Sequence, residues 1–191
     1  MSKILWVDFE TTGMDETRHG ICQIGLLVQQ DGKIVHTEKF DVNPGNVEYD
    51  PEALAIHGLT KEQIQSFEDE FIVFPKFMAI LDEYVDRYNK GDKFIFGGFN
   101  CKFDFKFLKA WMHLNGEDYI MSYFWSGQMD VQTLATYATM NLRVMLSYSL
   151  KGLCALFDIV LDDAHDALAD IVATYKLFKV LQREHIPISE N

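Results

Sequence analysis

"ILWVDFETTG" (residues 4–13) decides how this chain folds. Ile4 to Val7 form an apolar run that reads as an inner strand of a sheet. The run then carries Asp8 and Glu10 and stops at a Thr-Thr-Gly turn. Side chains alternate along a strand, so positions 8 and 10 point the same way. Two carboxylates side by side repel each other and resist burial. Either something positive sits between them or the strand ends in water.

Working outward, "ICQIGLLVQQ" (21–30) and "KIVHTEKFDV" (33–42) are extended runs. Asp31-Gly32 joins them, a strong two-residue hairpin signal. "YDPEALAIHG" (49–58) reads as a short helix closed by Gly58, and Thr60 with Gln63 fits a capping box for the next helix. The spacing predicts a helix over 74–89, a buried strand over 93–100 and a helix over 102–116 closed by Gly116. A short strand at 127–131 precedes a helix to about residue 140, with Asp130 as its N-cap or a hydrogen-bond anchor. Ser149 caps "LKGLCALF", and the last helix runs over 164–183. The expected fold class is α/β: a mixed sheet, an antiparallel meander plus parallel strands, flanked by helices on both faces.

The chain has 191 residues, 15 Phe and 8 Tyr, enough for one domain over 1–191 with a sizeable core. Cys22, Cys101 and Cys154 are odd in number and form no CxxC pair, so a reduced, cytoplasmic setting is the expectation. The N-terminus has no signal-peptide pattern. No stretch approaches the ~20 apolar residues that cross a bilayer, so no membrane partner is expected. Neither a P-loop nor GxGxxG appears, which disfavours a kinase or dehydrogenase.

The predicted elements put Asp8 and Glu10 at the end of the first strand, Asp104 at the start of a helix and Asp170 in the first turns of the last helix. Four acids near one point need cations. Hard oxygen donors suit Mg²⁺ or Mn²⁺. Two such ions about 4 Å apart serve in-line attack on a phosphodiester. They bring the four acids near neutral, which lets an anionic backbone approach a chain whose formal charge of −12 otherwise opposes nucleic-acid binding. His165 lies five residues before Asp170, about 140° off its helical face. Both reach one site only if His165 sits at the frayed helix start or in the loop before it, with Asp163 as the cap. An imidazole there suits a general base. Asp166, at i, i+4 to Asp170, competes for that role.

"VDFETTG", "GGFNCKFDFKFL" and "AHDALAD" together resemble the three motifs of the DnaQ-like (DEDDh) exonuclease family, in the family's order. "AIHGLT" (55–60) and "SLKGLC" (149–154) resemble further recurrent segments, and the likeness spans roughly residues 4–180. It implies an RNase H-like fold and 3′→5′ hydrolysis of phosphodiester bonds, releasing nucleoside 5′-monophosphates. It implies Asp8, Glu10, Asp104 and Asp170 as ligands of two Mg²⁺ or Mn²⁺ ions, and His165 as general base. Phe9, Thr11, Thr12 and Gly13 would contact the terminal sugar and 3′-OH. Ile56 and His57 would pack on the last base, Phe103 would wedge between the final two bases, and Asn100 would support the site from behind. The ordinary reading of Phe103 is core, because Phe107 follows one turn later.

The expected partner is the single-stranded 3′ end of a nucleic acid, held by stacking and backbone contacts. "IHGLT" resembles the DNA proofreading branch, whereas "WVDFETTG" also resembles oligoribonucleases and RNase T-like trimming enzymes. An idle nucleic-acid-binding scaffold is a third reading, disfavoured because all five chemical positions are filled. A polymerase partner is compatible with the sequence but not indicated by it. Lys102, Lys106, Lys109, Arg18 and His19 form either a basic rim or an ordinary solvated face. Residues 139–148 are unusually apolar and read as core, a lid or a contact surface.

Overall fold

Strand β1 (Lys3–Thr11) lies inside the sheet because its neighbours bond both of its edges: β2 (Ile21–Gln30) antiparallel and β5 (Phe94–Gly98) parallel. The computed structural model describes residues 2–142, 147–161 and 165–185. Strands β3 (Lys33–Asn43), the two-residue β4 (Glu68–Asp69) and β6 (Phe124–Asp130) complete a sheet of order β4-β3-β2-β1-β5-β6. The β2–β3 hairpin turns on Asp31 (φ 50°) and Gly32 (φ 80°), the double positive φ that a tight hairpin turn requires. Pairing is antiparallel through β1, β2 and β3 and parallel through β1, β5 and β6, the mixed sheet expected.

Alternation along β1 divides the core. Leu5, Val7 and Phe9 pack beneath α3 (Glu70–Tyr84) and α4 (Cys101–Leu114). Ile4 and Trp6 face the other way, toward α5 (Val131–Thr139), α6 (Leu150–Leu156) and α7 (Ala167–His185). Asp8 and Glu10 continue the even-numbered series, so they emerge on the face that carries α7.

Two glycines set how closely this face packs. A Cβ at Gly97 would stand 2.7 Å from the Trp6 ring, so the ring needs that space. A Cβ at Gly25 would fall 2.5 Å from the Leu168 amide nitrogen, and nearer still to the Ala167 carbonyl. Only a residue without a side chain lets α7 begin against β2 there.

The two short helices before the third, α1 (Pro51–His57) and α2 (Lys61–Gln65), match expectation. Asp50 caps the first and Gly58 closes it at φ 74°, while Thr60 and Gln63 form the capping box of the second. Helix α3 departs from expectation. The apolar spacing predicts a start at Phe74. It begins a turn earlier at Glu70, capped by Asp69, and buries Val73, Phe77, Ile80 and Leu81. It ends at Tyr84, where Val85 turns extended and enters the core. Strand β6 is longer than expected because residues 125–128 are exposed at the sheet edge and leave no apolar pattern to read. The expected cap at Asp163, the expected helix start at residue 164 and residues 143–146 of the apolar segment lie outside the described residues.

Candidate active site

The end of β1 gathers acids from distant parts of the chain. Asp8 and Glu10 are half-buried on the strand, in register with Gly25 and Gln23 of β2. Asp104, in the first turn of α4, is buried, and its Oδ1 accepts a hydrogen bond from the Phe9 amide at 3.1 Å. That bond ties the α4 carboxylate to β1 between the two strand acids. Asp130 works behind this junction: it caps α5 through Thr133 N and accepts the Cys101 amide at the start of α4.

Asp170 arrives from α7. His165 stands ahead of that helix, in a turn with φ 74°, and is exposed. Placed there, it reaches the same point as Asp170 despite the unfavourable helical spacing. One ligand atom each from Glu10, His165 and Asp170 lie within 4.8 Å of one another. Asp166 is the actual cap of α7: its Oδ1 accepts from Leu168 N at 3.1 Å and Ala169 N at 3.2 Å, and its other oxygen accepts from Lys39.

The electrostatics are those of an acid cluster short of positive charge. Burial, then Asp170 and Asp166, pushes the Asp8 carboxyl up to about 8. Burial, then Asp8, Asp170 and Asp166, pushes Glu10 up to about 9. Burial and Asp8 raise Asp104 well above the ordinary range. Burial also raises Asp170, with His165 opposing the shift. Asp170 Oδ1 is buried and has no hydrogen-bond partner. A buried lone oxygen costs about 1–3 kcal/mol unless something satisfies it. The carboxylate oxygens of Glu10 and Asp170 suit a hard divalent cation, and the His165 ring stands beside them.

The remaining sequence candidates surround this point unequally. Phe9, Thr11, Thr12 and Gly13 are all buried. The Thr11 hydroxyl donates to Gly13 O, and the Thr12 hydroxyl donates to Glu48 O while accepting from Gly20 N. Ile56 is 57% exposed at the end of α1. His57 is half-buried, with Nδ1 accepting from Leu59 N. Burial lowers its pKa, with a bond to the Thr11 backbone opposing the shift and His165 adding to it. Phe103 is half-buried, 5.0 Å from the Phe107 ring, with the Lys106 ammonium 5.3 Å above it. Asn100 is exposed, at φ 62°, and makes no capping bond.

Of the five residues that read as either a basic rim or a solvated face, two are spent on ion pairs. Lys106 binds Glu16 at 3.0 Å and Met14 O, and Arg18 binds Glu48 at 2.5 Å. Lys102 and Lys109 stay exposed on α4. Sequence reasoning missed Lys39 and Gln23, which touch α7 from β3 and β2. Only the strand register places them there.

The mixed six-stranded sheet flanked by helices is an RNase H-like fold, and acids gather at the end of its first strand. The model of the RNase T-type exonuclease family matches residues 5–178, and the chain belongs to that family, DnaQ-like in the order of its motifs. It is 29% and 28% identical over 173 residues to proteins named DNA polymerase III PolC-type from Thermotoga petrophila and Thermotoga maritima. The match covers 90% of this chain but 11% of each relative. In fold it is similar to E. coli exonuclease I in complex with a dT13 oligonucleotide (TM-score 0.78, 22% identity, 95% of this chain and 41% of that one). A zinc-bound exonuclease I–ssDNA complex gives TM-score 0.80 at 22% identity, over 97% and 41%. Among the described residues, no helix is long and apolar enough to cross a membrane.

Proposed function

We propose that the chain, as one domain over 1–191, is a 3′→5′ exonuclease that removes nucleoside 5′-monophosphates from single-stranded or frayed DNA. The observation that carries this is the unpartnered, buried Asp170 oxygen beside Glu10 and His165, amid carboxyls whose pKa values are raised. Such a cluster is costly to ionise without nearby cations, and its oxygen donors suit divalent ones. Asp8, Glu10, Asp104 and Asp170 would hold two of them, Mg²⁺ or Mn²⁺. Bound there, the ions neutralise the acids and polarise the phosphodiester and the attacking water.

The chain's own groups do the rest. His165 takes the water proton on a ring nitrogen. Its exposed position ahead of α7 leaves the ring accessible. Asp104 is held against β1 by the Phe9 amide on its Oδ1. The Thr11 hydroxyl is spent on Gly13 O and the Thr12 hydroxyl on Glu48 O, so this segment, Gly13 included, and Phe9 would meet the terminal sugar through backbone groups. Ile56 offers an exposed apolar surface to the last base, with His57 beside it. Phe103, steadied by Phe107 and Lys106, fits a wedge between the last two bases. Asn100 stands at the start of α4 behind Asp104. The names of the relatives, DNA polymerases and an exonuclease bound to single-stranded DNA, support DNA over RNA.

The test uses 5′-labelled and 3′-labelled single-stranded DNA and RNA with Mg²⁺, Mn²⁺ or EDTA. The expected result is stepwise shortening of DNA from the 3′ end, abolished by EDTA. Shortening that persists in EDTA refutes the metal requirement, and faster loss of RNA moves the substrate to RNA trimming.

A further inference from the structure

The site has a supporting frame on β2 and β3 that the three motifs do not contain. Strand register lays two rows across the sheet. One runs Asp8–Gly25–Lys39 and the next Glu10–Gln23–Asp41. Residues directly opposite in antiparallel strands share a face, so both rows lie beneath α7. Gly25 leaves the gap into which the first turn of α7 settles.

Around that gap the polar groups close a ring. The Lys39 ammonium binds the Asp166 carboxylate and lies 3.7 Å from Asp41. Asp41 accepts from Gln23 Nε2 at 2.8 Å. Gln23 Oε1 accepts from Ala167 N at 3.4 Å, and Asp166 accepts from Leu168 and Ala169 N. Both ends of the ring therefore grip the start of α7. His165 immediately precedes Asp166, and the Asp170 amide donates to Asp166 O at 2.9 Å.

Two features separate this from an incidental surface ion pair. A cation near a helix N-terminus opposes the helix dipole, so Lys39 does not stabilise α7 directly. It acts only through the carboxylate between them. His165 also holds a left-handed φ that a non-glycine residue adopts at a cost, and such a conformation persists only where its surroundings fix it.

We propose that Lys39, backed by Asp41 and Gln23, is the positioning residue that sets His165 and Asp170 for the reaction. This rests on the exonuclease reading and on His165 as its base. The Asp166 carboxylate is engaged by the Lys39 ammonium and by the Leu168 and Ala169 amides. Asp166 is thereby committed to holding the helix start, which leaves the base role to His165.

The test compares Lys39→Met, Lys39→Arg, Asp166→Asn and the Lys39→Met/Asp166→Asn double variant of the full chain, with Asp8→Ala as reference. Initial rates are read on 5′-labelled single-stranded DNA in saturating Mn²⁺. Lys39→Met is expected to lower kcat about 10- to 100-fold, the usual range for a group that orients a site from behind. KM stays within about twofold, because no substrate contact is removed. Lys39→Arg recovers most of the rate. In the Asp166→Asn background Lys39→Met costs almost nothing further, because both act through one link. Wild-type kcat for Lys39→Met, an equal loss in both backgrounds, or a loss confined to KM overturns the proposal. If Lys39→Met melts below the assay temperature, Asp41→Asn carries the same test, with a smaller kcat loss expected and an unchanged kcat decisive against it. An active Asp8→Ala defeats the exonuclease reading itself. An inactive Asp8→Ala beside a fully active Lys39→Met defeats only the positioning role.

Discussion

Gly25→Ala tests how tightly the site depends on the packing of α7. The new Cβ would stand 2.5 Å from Leu168 N, where ordinary contact begins at 3.4 Å. Its neighbours are backbone atoms at the start of a helix, which cannot swing aside as a side chain would. The start of α7 must therefore retreat by about 1 Å. Overpacking of this kind costs about 1–3 kcal/mol of stability. Its effect on chemistry is larger. His165 and Asp170 move with the helix while Asp8 and Glu10 stay on β1, and a misplacement of about 1 Å costs about 100-fold in rate. The assay is the initial rate of 3′ shortening in Mg²⁺ beside a melting curve by circular dichroism. A suitable control is Gly127→Ala on β6, where an added Cβ meets nothing within 4 Å and the rate should hold. Gly25→Ala at the wild-type rate refutes the claim that this contact registers the site.

His165→Ala should lower turnover by about 10²–10⁴-fold, the range for a general base, while Mn²⁺ still binds; an unchanged rate shifts the base role to Asp166. The raised values of Asp8 (about 8) and Glu10 (about 9) exceed the ordinary 3.8 and 4.5, so between these limits the metal-free folded protein binds more protons than the unfolded chain. Their contribution therefore favours the folded state at low pH and declines as pH rises toward 9: in EDTA the melting temperature should fall between pH 6 and 9, saturating Mn²⁺ should flatten that slope, and a rising melting temperature in EDTA would contradict the sign. Thr12→Val should cost about 1–3 kcal/mol in urea unfolding, because the fully buried hydroxyl serves both Glu48 O and Gly20 N; an unchanged midpoint would deny it that structural role.

Much of this architecture was legible in the residues. The apolar run ending in Asp8 and Glu10, the Asp31-Gly32 turn and the Thr60 capping box are local signals, and each appears in place. The convergence of Asp8, Glu10, Asp104, His165 and Asp170 needed the family likeness as well, since no local pattern brings residue 8 to residue 170. What stayed hidden depends on pairing across the sheet. Lys39 and Gln23 read as ordinary strand residues until register sets them opposite Gly25 and Glu10. Gly25 looks like a weak point in a strand until α7 lies over it. Helix α3 starts at Glu70, ahead of Phe74, because the Asp69 cap and the buried Val73 carry it past Pro75. Strand β6 starts at Phe124, ahead of the expected 127, because its exposed edge residues carry little hydrophobic alternation.

The central claim is that acids from the first strand, the fourth helix and the last helix share divalent cations. Mn²⁺ titration followed by electron paramagnetic resonance tests it without reference to substrate. Wild-type protein should take up Mn²⁺, and both Asp8→Ala and Asp170→Ala should weaken that uptake severely. Equal Mn²⁺ uptake by all three proteins would contradict the account.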